Sequence, residues 1–345
     1  MSLRRRKLIG GGYEKRGEIG RGTYGTVYDG VHVDTQRRVA IKKVFGQADV
    51  GEAEAALLRA CQGANHVVQM LDVVHRNGKV YLILEFMDSD LETVLKATDD
   101  VPSIEIAHVK AYLQMLLKGV KELHDRKILH RDLKPNNLLI RRDSKVAKIT
   151  DFGMATQLKP GDDDRAKSVQ VITRAYRPPE LFFGYDKYEY AVDMWSVGCI
   201  FAELLLRNPY FDGSSDIDQL SLIFSALGSP AENGWDAAAD LPYYLKFKDT
   251  HPKPLAEQFP DLSTAGIDLL SQLLQLDPKK RISADDALKH AFFAEEPLPA
   301  PSSELPFVLP PDQTKKRPLA DILSNAFAES DGIDGSVAIK GRRIL

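Results

Sequence analysis

The chain of 345 residues is long enough for one large or two smaller domains, and its 46 basic and 49 acidic residues leave a formal net charge of −3. Apolar residues make up 43% and charged residues 28%, which excludes a fibrous or wholly disordered protein, and the near-neutral charge argues against a protein that chiefly binds nucleic acid. Because two cysteines cannot build a disulfide framework and no apolar run reaches roughly 18 residues, we expect a soluble intracellular protein that binds neither nucleic acid directly nor a membrane.

Residues 13–84 are predicted to form a small sheet that carries one helix. Short β-branched runs, separated by Gly and Asn-Gly, predict strands over 26–28, 39–44, 67–74 and 80–84. The helix is predicted over 49–62, with Asp49 as its N-cap, Glu52 as the capping-box residue and Gly63 as its stop. This part of the chain is therefore mainly β.

After Asp88 the hydrophobic pattern becomes helical. Apolar residues at positions 109, 113, 116, 120 and 123 recur at spacings of three and four, and residues 192–206 are almost all apolar, so both segments are predicted as helices. Six prolines among residues 297–311 forbid a helix there and predict an extended strap over the surface. The second part of the chain is therefore mainly α.

Three glycines, Gly20, Gly22 and Gly25, form a G-x-G-x-x-G pattern. The pattern alone is weak, because ordinary hairpins also contain glycines. In a dinucleotide-binding fold it would open a helix, whereas here residues 26–28 continue as a strand, and no Walker loop is present either. The pattern therefore predicts a hairpin that folds over a ligand. Lys42 is the last residue of the V-A-I-K run within the predicted strand 39–44. Taken alone, a single lysine in a strand would ordinarily lie on a solvated face.

The next cluster carries the chemistry: H-R-D-L-K-P-N-N over 130–137 is followed by D-F-G over 151–153. Phosphoryl transfer needs a carboxylate that accepts the proton of the attacking hydroxyl, and oxygen ligands that hold Mg²⁺ on the phosphates. Asp132 can supply the first, and Asn137 and Asp151 the second. The cluster therefore indicates a phosphotransferase.

Together with the glycine pattern, the V-A-I-K strand and Pro179-Glu180, these segments stand in the order found in the eukaryotic protein kinases, which residues 13–311 resemble. The resemblance implies an α+β, bilobal eukaryotic protein kinase fold, with a small mainly-β N-lobe that has one regulatory helix and a larger mainly-α C-lobe. The implied domains are a basic N-terminal extension (1–12), a kinase domain (13–293, with an N-lobe 13–87 and a C-lobe 88–293), and a Pro-rich strap and tail (294–345). Glu180 would pair with Arg281.

The resemblance also implies an ATP site between the lobes. The residues expected to bind ATP are Ile19, Gly20, Gly22, Gly25, Val27, Ala40, Lys42, Glu54, Leu84, Glu85, Met87 and Leu139. Lys42 would hold the α- and β-phosphates and pair with a glutamate of the helix, for which Glu52 and Glu54 are the candidates. We expect Glu54, because it shares a helical face with Leu58 and Cys61, which must point inward.

Four residues would be catalytic: Asp132 as the base, Lys134 on the transferred phosphate, Lys42, and Thr173 in the loop before Pro179. Lys134 and Thr173 resemble the serine/threonine type, so tyrosine is not the expected acceptor. Asn137 and Asp151 would bind Mg²⁺.

The regulatory candidates are Ser168, Thr23, Tyr24 and Arg131. Ser168 stands at the family's activation-loop phosphosite, and Thr23 and Tyr24 match inhibitory phosphosites, although an unmodified loop serine and ordinary hairpin residues remain alternatives. Phospho-activated relatives grip the loop phosphate with three basic residues. Here Ala53 and Thr156 replace two of them, and only Arg131 remains. A phosphate on the activation loop is therefore predicted to switch the kinase less strongly than in those relatives.

The segments 173–180 and 192–199 resemble the cyclin-dependent kinase group, and 86–91 and 109–120 resemble its cell-cycle-related branch, with the CDK-activating kinase as the nearest rival. The resemblance implies protein substrates phosphorylated at Ser/Thr-Pro sites, with 171–172 and Arg177 where the proline pocket is built, or at the activation loops of other kinases. A cyclin or cyclin-like activator is a possible partner, and the cytoplasm, nucleus or cilium the expected location. A pseudokinase scaffold is disfavoured, because Lys42, Asp132, Asn137 and Asp151 are all present.

Overall fold

The computed structural model describes residues 8–97, 104–159 and 166–310. The N-terminal part of this chain is a six-stranded antiparallel sheet with the strand order β1-β2-β3-β4-β6-β5. Its strands are β1 (Leu8–Gly10), β2 (Tyr13–Arg21), β3 (Gly25–His32), β4 (Arg38–Val44), β5 (Met70–Arg76) and β6 (Lys79–Glu85). Helix α1 (Ala48–Ala60) packs directly on this sheet, since a Cβ atom on Gly51 would lie 2.5 Å from Cβ of Val80.

The sheet begins earlier than the sequence predicted. Residues 8–10, assigned to a basic extension, form the edge strand β1, because Ile9 is an apolar residue that the sheet can bury. The basic residues 1–7 lie outside the described part of the chain. The predicted strand 67–74 begins at Met70 instead, and Val67 makes an isolated parallel bridge to Ile149.

Helix α1 confirms the predicted helix, but its predicted N-cap is wrong. The cap is Gln47, and Asp49 lies within the first turn, where its carboxylate accepts from Val50 N. Glu52 is no capping-box residue, because its carboxylate faces outward to His75 and Arg59.

The remaining described residues are mainly helical. The helices are α2 (Leu91–Lys96), α3 (Ile106–Asp125), α4 (Pro179–Phe182), α5 (Ala191–Leu206), α6 (Asp216–Leu227), α7 (Leu255–Gln258), α8 (Thr264–Leu273) and α9 (Ala284–Leu288). Short strands β7 (Ser89–Asp90), β8 (Ile128–Leu129), β9 (Leu138–Ile140), β10 (Ala147–Ile149) and β11 (Thr156–Gln157) lie among them. The helices predicted from the 109–123 and 192–206 patterns are confirmed as α3 and α5. In the described residues no helix is both long and apolar enough to cross a membrane.

A buried ion pair anchors the helical part. The two terminal guanidinium nitrogens of Arg281, Nη1 and Nη2, donate to the Glu180 carboxylate at 2.8 and 3.1 Å, and both side chains are fully enclosed. Arg281 also donates to the carbonyl oxygen of Ala191 at 2.6 Å. The pair therefore joins α4 to the first residue of α5, and breaking one partner would leave a buried charge uncompensated.

The proline-rich segment runs over α3 and β7 and contains one 3₁₀ turn, at Ser302–Glu304. The buried Lys110 donates to the carbonyl oxygen of Glu295 at 2.8 Å, and Tyr112 Oη donates to that of Pro306 at 2.7 Å. Ser89 Oγ donates to the carbonyl oxygen of Val308. These three hydrogen bonds attach the strap to α3 and to Ser89 of β7, which follows β6 in the chain. Residues 311–345 of the predicted tail lie outside the described part.

Candidate active site

The glycine pattern forms the hairpin between β2 and β3, which the N–H of Gly22 closes by donating to the carbonyl oxygen of Gly25 at 3.0 Å. The three glycines are not equivalent. A Cβ atom on Gly25 would lie 2.6 Å from the main-chain oxygen of Lys43, whereas on Gly20 or Gly22 it would meet no described atom within 4 Å. Of the three, only Gly25 is therefore required by packing, and the space beside Gly20 and Gly22 is open.

Lys42 lies on β4, opposite Val27 of β3 and Leu82 of β6. Its Nζ atom is 2.5 Å from Glu54 Oε1 of α1 and 2.6 Å from Asp151 Oδ1 after β10. The structure thus brings together residues from three separate elements, and it places Glu54, not Glu52, beside Lys42.

Two carboxylates stabilise the charge of Lys42. Burial disfavours the ammonium of Lys42, but the carboxylates of Glu54 and Asp151 outweigh it and raise the pKa of Lys42. Burial raises the pKa of Glu54, against the attraction of Lys42. Burial also opposes ionisation of Asp151, yet Lys42 brings the pKa of Asp151 below its ordinary value. Lys42 is therefore held as a cation with Asp151 as its anionic partner.

The residues expected around adenine lie on neighbouring strands. Ala40 of β4 is opposite Leu84 of β6, and Leu139 of β9 is opposite Asp90 of β7. The carboxylate of Glu85 binds Lys148 Nζ at 2.7 Å and Arg141 Nη1 at 3.3 Å, and the Glu85 N–H donates to the carbonyl oxygen of Gln69 at 3.0 Å, so neither the side chain nor the N–H of Glu85 is free for a ligand. Ile19 and Val27 belong to the hairpin strands and Met87 follows β6.

Both carboxylate oxygens of Asp132 accept hydrogen bonds. Oδ1 accepts from Thr173 Oγ1 at 2.7 Å and from Thr173 N at 3.2 Å. Oδ2 accepts from Lys134 Nζ at 2.8 Å, and the same ammonium is 3.0 Å from Thr173 Oγ1. The structure therefore brings three predicted catalytic residues into one cluster, although they lie up to 41 residues apart in the chain: Asp132, Lys134 and Thr173.

Asp193 holds this cluster in place, a role that sequence reasoning missed. This fully buried carboxylate on α5 accepts from the main-chain N–H groups of His130 and Arg131, both at 2.9 Å, and contacts His124 Nε2 at 3.0 Å. Burial raises the pKa of Asp193, but its hydrogen bond and attraction to His124, with smaller contributions from the other contacts, bring the pKa below its ordinary value. An aspartate in the first turn of a largely apolar, buried helix was the available signal.

The two residues expected to bind Mg²⁺ each have an oxygen atom that accepts no hydrogen bond from the described residues. The amide nitrogen of Asn137 donates to Asp132 O at 2.8 Å and to Asp132 Oδ2 at 3.3 Å, which leaves Asn137 Oδ1 as an acceptor. Asp151 uses Oδ1 for Lys42 and for the N–H of Gly153, while its Oδ2 accepts no hydrogen bond from the described residues. One carboxylate and one amide oxygen fit Mg²⁺, which takes few protein ligands and completes its shell with water and phosphate.

The guanidinium of Arg131 is already engaged. Nε donates to the carbonyl oxygen of Met154 at 2.7 Å and Nη1 to the hydroxyl of Tyr188 at 3.1 Å. Tyr188 in turn donates to the carbonyl oxygen of Ser168 at 2.6 Å, while the Ser168 side chain is exposed. Arg131 and Ser168 are thus joined by neutral groups, through a tyrosine that sequence reasoning did not single out.

The side chains of the two candidate phosphosites in the glycine hairpin, Thr23 and Tyr24, have different surroundings. Thr23 is exposed at the tip. Tyr24 turns inward, where its hydroxyl contacts Met154 Sδ and its ring covers Gly153 so closely that a Cβ there would lie 2.6 Å from Tyr24 Cγ. A modification of Tyr24 would therefore require this contact to open.

Comparison with known proteins agrees with this geometry. The protein kinase domain family matches residues 13–293. Cyclin-dependent kinase D-1 of Oryza sativa subsp. japonica is 40% identical over 98% of this chain and 78% of its own, and cyclin-dependent kinase 20 of Homo sapiens is 44% identical over 84% of this chain and 85% of its own. A solved chain of the CAK complex from Chaetomium thermophilum bound to ATP-gamma-S superposes with a TM-score of 0.78 at 36% identity, covering 86% of this chain and 95% of that one. The chain therefore belongs to the protein kinase domain family and is a serine/threonine kinase of the cyclin-dependent kinase group, near the branch of the cell-cycle-related and CDK-activating kinases.

Proposed function

We propose that this kinase transfers the terminal phosphoryl group of ATP to Ser or Thr residues that are followed by Pro. The observation that carries the proline preference is the main chain of Ile172, held in the left-handed region at φ +69°. Arg177 donates to the Ile172 carbonyl oxygen from Nε and Nη2, at 3.2 and 2.9 Å, and to that of Val171 from Nε at 2.9 Å. With both oxygens occupied, the N–H of the residue after the acceptor would lack a partner, and proline has no N–H.

The proposed roles of the acceptor side follow from its contacts. Asp132 orients the substrate hydroxyl and accepts its proton, as a carboxylate whose own position is fixed by Lys134 and Thr173. The ammonium of Lys134, held between Asp132 and Thr173, faces the site where the phosphoryl group is transferred and stabilises its charge.

The proposed roles of the nucleotide side are binding and orientation. Lys42, held by Glu54 and Asp151, binds the α- and β-phosphates, while the glycine hairpin covers them. The apolar residues Ile19, Val27, Ala40, Leu84 and Leu139 enclose adenine, with the main chain of Glu85 and Met87 as its hydrogen-bonding edge. Asn137 and Asp151 would hold Mg²⁺, which neutralises charge on the phosphates when bound.

Peptides that differ only after the acceptor test the proline preference and its cause. We expect kcat/KM for a Ser-Pro peptide to exceed that for the matching Ser-Ala peptide by about tenfold or more, since an unpaired buried N–H costs about 1–3 kcal/mol. A Ser-(N-methylalanine) peptide also lacks the N–H and should be phosphorylated nearly as well as Ser-Pro. Equal rates for Ser-Ala and Ser-Pro would refute the preference, and a poor N-methylalanine peptide would refute the cause.

A second proposal is that the substrates include activation loops of other kinases and that a cyclin-like partner binds near α1. The similar solved chain comes from a CAK complex. Phe45, just before α1, and Val50, in its first turn, expose 37% and 47% of their surfaces, which a partner could cover. Phosphorylation of an activation-loop peptide without proline, together with co-purification of a cyclin, would favour this reading.

The finer assignments stay predictions. They are phosphorylation at Ser168, Thr23 and Tyr24, the division of the chain at residues 12, 87 and 293, and a location in the cytoplasm, nucleus or cilium.

A further inference from the structure

The turn between β9 and β10, residues 141–146, has no role in the proposed function, yet it binds the segment that follows β6. The N–H of Arg142 donates to Asp88 Oδ2 at 2.9 Å. Arg141 Nη1 lies 3.3 Å from the carboxylate of Glu85. The turn therefore holds both ends of the segment from Glu85 to Asp88, whose main chain is proposed to bind adenine.

The turn itself is closed by its own main chain. The N–H of Arg141 donates to the carbonyl oxygen of Val146 at 3.1 Å, and the N–H of Lys145 donates to that of Arg141 at 2.9 Å. Lys145 has a φ of +54°, in the left-handed region that a tight turn requires. A turn closed in this way keeps the contacts of Lys145 and Arg142 in a fixed relation to each other.

The proline-rich strap binds to the same turn. Lys145 Nζ lies 4.7 Å from the centroid of the Phe307 ring, and Arg142 Cζ lies 5.8 Å from it. Lys145 Nζ also donates to the carbonyl oxygen of Leu305 at 3.5 Å, and Leu305 is buried, which anchors the strap at this point. Arg142 therefore contacts Asp88 through its main chain and Phe307 through its guanidinium.

A direct hydrogen bond joins the strap to the segment after β6 as well. Ser89, which follows Asp88, donates from Oγ to the carbonyl oxygen of Val308, which follows Phe307. Because an aromatic face attracts cations, one ring can hold the guanidinium of Arg142 and the nearby ammonium of the same turn. The strap, the turn and the segment after β6 are thus connected in a closed circuit, in which Phe307 joins the first two.

We propose that Phe307 is a positioning residue for ATP: its ring, bound by Lys145 and Arg142, fixes the β9–β10 turn and thereby the main chain of residues 85–88 against which adenine binds. The inference rests on the proposed contact between adenine and this main chain. Phe307 acts through the turn and not on the reacting atoms. Loss of its ring should therefore raise the KM for ATP, while kcat and the KM for the acceptor peptide stay constant.

The test measures phosphorylation of one Ser peptide by variants of the full chain. We expect Phe307→Ala to raise the KM for ATP about fivefold, because it removes both cation–π contacts, and Phe307→Tyr, which keeps the ring, to stay within about twofold of the wild type. Lys145→Met keeps the length of the side chain without its charge and should raise the KM for ATP about threefold. Titration of each protein with ADP, in the absence of peptide, should give the same ratios in Kd.

Leu298→Ala is the matched control, since Leu298 also lies on the strap but is 52% exposed. It should leave the KM for ATP unchanged. Equal increases in the KM for ATP and the KM for the peptide in Phe307→Ala would show a general structural role and overturn the proposal. If Phe307→Ala fails to fold, an unchanged KM for ATP in Lys145→Met would overturn it.

A second nucleotide tests the adenine contact on which the role of Phe307 rests. Purine riboside triphosphate lacks the amino group that would donate to the main chain of residues 85–88, so the wild type should use it with a higher KM than ATP. Equal KM values for the two nucleotides in the wild type would refute the adenine contact, and the role of Phe307 with it. A wild type that distinguishes them, together with an unchanged KM for ATP in Phe307→Ala, would refute the role of Phe307 alone.

Discussion

The nucleotide side and the acceptor side of this active site hold their charged groups by different means. Lys42, Glu54 and Asp151 come from β4, from α1 and from the loop after β10, and what joins them is two ion pairs. Asp132 belongs instead to a loop whose main-chain N–H groups are bound by the buried Asp193 of α5. The nucleotide side is assembled between elements, whereas the acceptor side is built into the core of the helical part.

This difference indicates where regulation can act. A displacement of α1 would remove Glu54 from Lys42 while leaving the sheet and its register intact. A displacement of the loop around Asp132 would strip a fully buried carboxylate of its donors, which costs several kcal/mol for a charged group. We therefore expect substitutions on the nucleotide side to change activity with little change in stability. On the acceptor side, we expect this separation of activity from stability only for substitutions of groups that face the substrate.

The largest effect should come from Asp132→Asn. The amide keeps the shape of the side chain but cannot accept the proton, so kcat should fall by about 10²–10⁴-fold, the usual contribution of a general base. Radiolabel transfer from ATP to a Ser peptide measures the rate. The melting temperature should stay within about 2 °C of the wild type, because the Asp193 contacts are untouched.

Asp143→Asn is the matched control, since the Asp143 side chain is 76% exposed and pairs only at the surface with Arg141. It should leave kcat unchanged. Undiminished transfer by Asp132→Asn would remove Asp132 from the mechanism.

A smaller effect should follow from Glu54→Gln on the nucleotide side. The amide removes the charge that Lys42 faces from α1, while Asp151 remains 2.6 Å away. We expect kcat/KM for ATP to fall by about tenfold, as one charge-assisted hydrogen bond becomes neutral. Because burial raises the pKa of Glu54, removing its charge should not lower the melting temperature.

Glu52→Gln provides the control on the same helix, two residues away. The Glu52 side chain is 43% exposed and contacts His75 and Arg59, away from Lys42, so the loss of its charge should leave the KM for ATP unchanged. Equal effects of the two substitutions would contradict the assignment of Glu54.

The sequence predicted the sheet, α1, α3 and α5, because their apolar patterns are local. The face argument that selected Glu54 also needed only neighbours on one helix, and the structure places Glu54 beside Lys42. Asp193 and Tyr188 were missed, because their roles arise from contacts with segments 20 to 69 residues away. A local sequence pattern does not predict which main-chain N–H groups, far away in the chain, a buried aspartate will bind.

The same limit explains the errors in detail. Asp49 matches the residue preference of an N-cap, but the backbone turns helical at Ala48, so the cap position falls on Gln47, which makes no side-chain cap hydrogen bond. Strand β1 has too few residues to show a period and forms because β2 offers an edge.

The smallest effect should come from Ser168→Ala, in the segment that joins the two sides. The serine hydroxyl is exposed, and the residue is tied to Arg131 through its carbonyl oxygen and the Tyr188 hydroxyl, neither of which the substitution removes. Since Ala53 and Thr156 stand where two further basic residues would grip a phosphate, a phosphate on Ser168 would gain little. We therefore expect Ser168→Ala to change kcat/KM for a Ser peptide by less than about twofold, and Tyr188→Phe to lower it by more, because it cuts the link to Arg131. A loss of tenfold or more in Ser168→Ala, restored by Ser168→Glu, would instead show that the segment depends on a negative charge at this position.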